Sequence, residues 1–335
     1  MSTLSDIAQM AGVSTSTVFR VLNGQSSASL PEEAKARILE AAARLDYQPR
    51  TRRRSIGANK VRKLAVIGMN SEARDSSIPY FHDLTLGIQR ECASRGLTGS
   101  NLQLIWSDAI RSYSQFEDFG QIIVVANNLD AAEFFRDKDQ QVVFVAASPD
   151  PHRFPSVRVD LAGGTRLAVQ HLIGLGYRKV GYFGEATEQD DQFSRFSTFK
   201  YLLTKLDLYD PQYVNLNGHW TAQSGYQMAK QAMQTGLVAR SYFIANDPMA
   251  IGAIRAFASE GYRVPEDVAI IGFDNIELSA YTQPPLTTID DSSAQCARLA
   301  VNLVVDGLCG SVPLIQVLVP THLVIRESCG FPHTT

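Results

Sequence analysis

Residues 3–24 read Thr3-Leu-Ser-Asp-Ile-Ala-Gln-Met-Ala-Gly-Val-Ser-Thr-Ser-Thr-Val-Phe-Arg-Val-Leu-Asn-Gly24, and their pattern predicts a small helical module. Thr3 followed by Asp6 marks a helix start, and Ile7, Ala8 and Ala11 fall on one face of a short helix that Gly12 ends. Ser14 can cap a second helix from Thr15 to Leu22, with Val18, Val21 and Leu22 as its apolar side and Val13 plugging the core. Asn23-Gly24 is a natural stop. Two short helices joined by a turn containing glycine form a helix-turn-helix, in which small residues such as Ala8 and Gly12 permit close crossing. A third helix begins at Pro31-Glu32-Glu33, where proline suits the first turn and the acids face the positive end of the helix dipole. Its stripe is Ala34, Ile38, Leu39, Ala42 and Leu45, and Tyr47 closes the core.

The charge is unevenly spread. Residues 1–63 hold 11 Lys and Arg against 5 Asp and Glu (+6), and the remaining residues hold 20 against 29 (-9), within a net charge of -3. A basic module of this kind meets polyanions, although a solvated basic face has the same composition. At 335 residues the chain is long enough for two or three compact units. Cys92, Cys296, Cys309 and Cys329 form no C-x-x-C pair and have no histidine at metal-ligand spacing, so they read as buried or incidental thiols of a reducing compartment. Apolar runs such as Val142 to Ala147 are strand-length, and the first residues lack the basic and apolar regions of a secretion signal. These features lead to the expectation of a cytoplasmic protein with no membrane partner.

The string at 3–24 resembles the head of the LacI/GalR repressor family over its full length. The resemblance implies that the second helix lies in the DNA major groove, with Thr15, Ser16 and Arg20 reading base edges. Ser14, Thr17 and Asn23 would hold phosphates, and Thr3 joins the DNA contacts. Arginine offers a bidentate fork to guanine and short hydroxyl residues can donate, accept or touch a thymine methyl. Without the resemblance, Thr15 and Ser16 read equally as a solvated helix start. Phe19 departs from the family, which carries serine there.

The following stretch, Pro49-Arg-Thr-Arg-Arg-Arg-Ser-Ile-Gly57, has no apolar stripe and reads as disordered when free. The family implies a hinge helix that forms on operator. Ile56, where relatives carry leucine, would wedge into the minor groove while Arg52, Arg53 and Arg54 offset phosphate repulsion. A plain charged linker would look the same.

From residue 64, strand-length runs (64–69, 102–106, 122–126, 142–146, 179–183, 241–245, 268–273) alternate with helical segments at 80–95 and 128–138 and from Gly163, Phe193, Thr221, Met249 and Ser292. Ile315 to Ile325 is the last strand-like run. Alternation predicts parallel sheets with helices on both faces, and ligands then bind where strand carboxyl ends meet in a cleft. The expected fold is an all-α helix-turn-helix head (1–48), a hinge (49–62) and an α/β periplasmic-binding-protein-like core (63–335). The core comprises two doubly wound parallel-sheet subdomains, approximately 63–160 with 292–320 and 161–291 with 321–335. No P-loop, G-x-S-x-G, H-E-x-x-H or dinucleotide fingerprint occurs, so no catalytic residue, metal or cofactor is expected. His171, on a helix beside Leu172, reads as structural.

The family resemblance continues through Val159-Asp160-Leu-Ala-Gly-Gly-Thr, Ala245-Asn-Asp-Pro-Met-Ala-Ile-Gly-Ala, Asp267-Val-Ala-Ile-Ile-Gly-Phe-Asp-Asn and Gln283-Pro-Pro-Leu-Thr-Thr-Ile. It implies an effector site containing Arg195, Asn246 and Asp274, a donor and acceptor set suited to a polyol. Trp220 matches an aromatic that stacks on sugar, and Tyr80 and Phe81 match a pocket segment. Packing between the halves would also explain Trp220, and helix-start packing would explain Tyr80 and Phe81. Ala146-Ala147-Ser148 stands where sugar-binding relatives have an acid, and Thr198 where they have glycine. The spacing at 108–120 with Phe116-Glu-Asp-Phe-Gly is most similar to the subgroup of repressors governing β-galactosidase genes.

The partners implied are a pseudo-palindromic operator, a galactoside effector that releases the protein from DNA, and a second copy of the chain. The absence of a terminal leucine heptad favours dimer over coiled-coil tetramer. A corepressor-dependent regulator shares all these features. A sugar-binding transport protein would share the core but needs a signal peptide and no basic head.

Overall fold

The computed structural model describes residues 4–22, 31–45, 63–68, 79–110, 112–125, 135, 142–147, 150–185, 194–306 and 314–330. Thr3, Asn23, Ile56, Cys309, the hinge 49–62 and the helix expected at 128–138, apart from Phe135, lie outside the described residues, as do the side chains of Ser16, Phe19 and Arg20. The chain forms two compact units, Met1–Lys60 and Val61–Thr335.

The first unit contains α1 (Leu4–Ala11), α2 (Thr15–Leu22) and α3 (Glu32–Arg44). Gly12 ends α1 in the left-handed region (φ +67°), which lets the Val13 N–H return to the Ala8 carbonyl at 3.1 Å. The Ser14 hydroxyl caps α2 by accepting the Thr17 N–H at 3.2 Å. Ile7, Ala8, Ala11, Val18, Ile38, Ala41 and Ala42 form the core. Leu39, expected on that core stripe, is instead 56% exposed, and Ala41 is buried. With 3.6 residues per turn, position 41 returns to the face of Ile38 and position 39 rotates away.

The second unit holds a six-stranded sheet in the order β11-β5-β4-β3-β1-β2: β1 (Leu64–Gly68), β2 (Leu102–Trp106), β3 (Gln121–Val125), β4 (Val142–Val145), β5 (Ser156–Val159) and β11 (Gln316–Val319). A second sheet runs β7-β6-β8-β9: β6 (Val180–Phe183), β7 (Val214–Asn215), β8 (Ser241–Ile244) and β9 (Ala269–Ile271). Every pairing within both sheets is parallel. Where helices cover both faces the strands are fully buried, as in β1, β4 and β8. The helices are α4 (Pro79–Ser94), α5 (Leu161–Gly174), α6 (Arg195–Lys205), α7 (Ala222–Thr235), α8 (Asp247–Ser259) and α9 (Ser293–Val305).

The run Ile315–Ile325, expected as one strand, is two. Proline has no N–H to extend a ladder, and at Pro320 the chain leaves the first sheet. Beyond it β12 (His322–Val324) pairs antiparallel with β10 (Thr288–Asp290). The chain passes between the halves three times: through Asp160 into α5, through β10 into α9, and from β11 into β12. Phe116 and Phe119 of the Phe116-Glu-Asp-Phe-Gly stretch are buried with Phe135, Phe144 and Phe154, so they serve packing in the first half.

Candidate functional site

In the head, the sequence-derived contacts cluster on α2. Thr15 is exposed at its first turn and Thr17 is half-buried. The Ser14 and Thr17 hydroxyls bond each other at 2.8 Å, so Ser14 is engaged with the helix it caps. Arg20 belongs to the same helix, and Val18 anchors α2 in the core.

In the second unit, Arg195, Asn246 and Asp274 stand at strand ends or helix starts of one half, while Tyr80 enters from the other. Ser194 caps α6 by accepting the Ser197 N–H at 3.1 Å, which fixes Arg195 as the first helical residue. Its guanidinium lies 4.8 Å from the Trp220 ring and 5.2 Å from the Phe273 ring, held by two cation–π contacts. Trp220 is thus half-buried with the guanidinium over its ring.

Asn246 is buried and its amide is engaged. Oδ1 caps α8 by accepting the Met249 N–H at 3.0 Å, and Nδ2 donates to the Trp220 carbonyl at 3.3 Å. Close packing of α7 on α8 makes this reach possible. A Cβ on Gly225 would collide with the Met249 carbonyl, and one on Gly252 with the Ala222 carbonyl. Trp220 immediately precedes the Thr221 cap of α7, so the two helices set the distance between Trp220 and Asn246.

Asp274 follows β9 with φ 109°, and Asn275 has φ 55°, a conformation that L-residues adopt rarely. Burial raises the Asp274 carboxyl well above the usual range; Asp291 and Asp247 add to this, and Arg195 opposes it. The Tyr80 phenol is also pushed up by burial, then by Asp291, Cys296 and Asp274, and stays neutral as a hydrogen-bond donor. Phe81 packs into the core of the first half, edge-on to Tyr80 at 5.1 Å between ring centroids.

Sequence reasoning passed over Asp291. It lies between β10 and α9, buried among Tyr80, Asp274 and Cys296. Its Oδ1 accepts the Ser293 N–H at 2.9 Å, and burial pushes its carboxyl up to about 7. The acidic doublet Asp290-Asp291 was the available signal. His171, read as structural, meets the buried Cys329 sulfur at 3.4 Å.

What the arrangement offers is a cluster with carboxyl groups to accept, a guanidinium and a phenol to donate, and an indole beside them. That suits a small polyhydroxylated molecule. Among the described residues no cluster of His, Cys, Asp and Glu could hold a metal ion, and no helix is long and apolar enough to cross a membrane.

Residues 3–50 match the family described as bacterial regulatory proteins, lacI family, and residues 169–329 match a periplasmic binding protein-like domain. The chain is 33% identical to the HTH-type transcriptional repressor MelR of Bacillus subtilis (strain 168), with 98% of each chain covered. It is 30% identical to the HTH-type transcriptional regulator GanR of the same organism, covering 98% of this chain and 99% of the relative. Among solved structures, the lac repressor dimer bound to operator and the anti-inducer ONPF is 25% identical, covers 98% of each chain and gives a TM-score of 0.67.

Proposed function

This chain belongs to the lacI family of bacterial regulatory proteins and is a DNA-binding transcriptional repressor rather than an enzyme, and we propose that it governs galactoside utilisation and leaves its operator when a galactoside binds. The observation that supports the effector assignment is the convergence of Arg195, Trp220 and Asp274, with Asp291 beside them. A neutral sugar presents several hydroxyl donors, which carboxyl oxygens accept, and ring and hydroxyl oxygens, which a guanidinium satisfies. Its C–H face packs on an indole.

Residues 1–48 are the head, 49–62 the hinge and 63–335 the core, in two subdomains. Two copies of the chain place their heads on the half-sites of a pseudo-palindromic operator, with both Ile56 residues near its centre. Thr15, Ser16 and Arg20 read base edges, and Thr3, Ser14, Thr17 and Asn23 hold the backbone. Tyr80, Phe81, Arg195, Trp220, Asn246 and Asp274 form the effector site. The protein works in the cytoplasm, where operator and sugar meet. Closing the cleft on sugar shifts the two first halves of the dimer, disfavours paired hinge helices and frees the DNA.

Fluorescence anisotropy on the intergenic DNA flanking the gene tests this, with wild type and Arg20→Ala, while galactose, lactose and an α-linked galactoside are titrated. Loss of a bidentate guanine contact costs about 1–3 kcal/mol, so Arg20→Ala should bind roughly 5- to 150-fold more weakly. Release of the wild type by one galactoside is the expected result. Tight binding that every sugar leaves unchanged or strengthens would overturn the inducer assignment and leave the DNA assignment standing.

A further inference from the structure

Asp247 is wholly buried, one residue after the capping Asn246, and its side chain reaches the loop that follows β9. Oδ2 accepts the Ile276 N–H at 3.0 Å and the Ser279 hydroxyl at 2.6 Å, and Oδ1 accepts the Thr288 hydroxyl at 2.5 Å. The Asp247 N–H donates to the Phe273 carbonyl at 2.7 Å. The loop passes so near that a Cβ on Gly272 would collide with Oδ1. One carboxylate therefore joins three segments: the start of α8, the loop 272–279 that carries Asp274, and β10, through which the chain crosses to α9.

The same loop is tied from its other side. Asn275 Nδ2 donates to Asp290 Oδ2 at 2.9 Å, Arg326 Nη2 donates to Asn275 Oδ1 at 2.8 Å, and Arg326 Nη1 donates to the Leu286 carbonyl at 2.7 Å. Asp290 closes β10 and Arg326 follows β12, so the tethers on this side of the loop end at the β10–β12 ribbon, where the chain runs between the halves. Left-handed backbone at two successive non-glycine residues persists only where its surroundings over-determine it, and these hydrogen bonds supply that constraint.

We propose that Asp247 is a positioning residue of the effector site, holding the Asp274 loop in its strained form and fastening it to β10, so that occupancy at Asp274 reaches the segment joining the two halves. It rests on Asp274 being an effector contact. A buried acid that merely stabilised the fold would, when altered, loosen the core as a whole. A positioning residue shows its loss in one loop and in the affinity of one ligand.

The full-length protein is compared as wild type, Asp247→Asn, Thr288→Val, Thr288→Ser and Asp274→Ala. Amide exchange is followed by mass spectrometry, and binding of galactose and lactose by calorimetry. Losing one buried hydrogen bond corresponds to about tenfold, so Thr288→Val and Asp247→Asn should speed exchange across 272–280 by about tenfold and weaken galactoside binding by a similar factor. Thr288→Ser keeps the hydroxyl and should stay near wild type in both. Sugar-free operator binding by Thr288→Ser should match wild type. Wild-type exchange over 272–280 in Asp247→Asn and Thr288→Val, or an equal rise throughout the core, overturns the proposal. If wild type binds neither sugar, or Asp274→Ala binds them as wild type does, the effector assignment itself fails, and the exchange data alone decide whether Asp247 holds the loop.

Discussion

Asp290 and Asp291 are neighbours in the chain with different surroundings. Asp290 is half-buried and hydrogen-bonded to Asn275 and the Ser292 N–H, whereas Asp291 is 4% exposed. Burial pushes the Asp291 carboxyl up to about 7, with Asp290 and Asp247 adding to the rise and the Ser293 N–H and hydroxyl opposing it. A carboxyl raised on folding keeps its proton in the folded state while the unfolded chain ionises. Stability therefore falls as pH climbs from about 4 to about 7, and the cost is complete above that window. Asparagine keeps the acceptor for Ser293 and removes the titration. Between pH 5 and pH 8, Asp291→Asn should gain on the order of 2–3 kcal/mol over wild type in urea unfolding of the core. Parallel pH profiles for the two proteins would show that Asp291 ionises freely. Of the residues the family resemblance marked, Arg195 lies over the Trp220 ring and within electrostatic reach of Asp274. Asp291 was illegible because an acidic doublet after a three-residue strand does not say which acid turns inward, and the left-handed Ser292 (φ 55°) that redirects the chain has no clear signature.

At the scale of elements, the proposed effector site depends on how α7 lies on α8. Gly225 and Gly252 bring each helix against the other's backbone, and rigid backbone cannot yield to an added methyl as a side-chain tip can. Gly252→Ala should lower core stability by about 2–3 kcal/mol and weaken effector binding, because Trp220 and Asn246 are carried on the two helices it separates. Gly174→Ala is the matched control. It sits at the end of α5 with no atom within 4 Å of the added Cβ, and alanine there should be neutral or up to about 1 kcal/mol stabilising. Equal melting temperatures for the two variants would refute the close-packing argument. Such contacts cannot be read from the chain, since the same glycines would suit a turn or a flexible helix. Strand and helix alternation was legible, because period and length survive in sequence. The division of 315–325 and the exposure of Leu39 were not, because both depend on which partner covers a segment.

For the whole molecule, the basic head and acidic core divide the work. The head's positive charge would drive attraction to DNA, which weakens with salt, whereas binding of the proposed neutral sugar by the core would depend little on salt. If the galactoside acts as inducer, the two binding events repel through the protein, and thermodynamic linkage makes that repulsion mutual. A sugar that lowers operator affinity by about 50-fold must bind about 50-fold more weakly to the operator-bound protein. The measurement is calorimetric titration of galactoside into the free repressor and into repressor saturated with operator, at one salt concentration. A weaker sugar affinity on operator, by the same factor that anisotropy gives for DNA release, is the expected result. Equal affinities would mean that the recess is filled without altering the grip on DNA, and tighter binding on operator would reverse the sign of coupling, making the ligand a corepressor. Either outcome would leave the fold and the helix-turn-helix head as described, because neither depends on what the core binds.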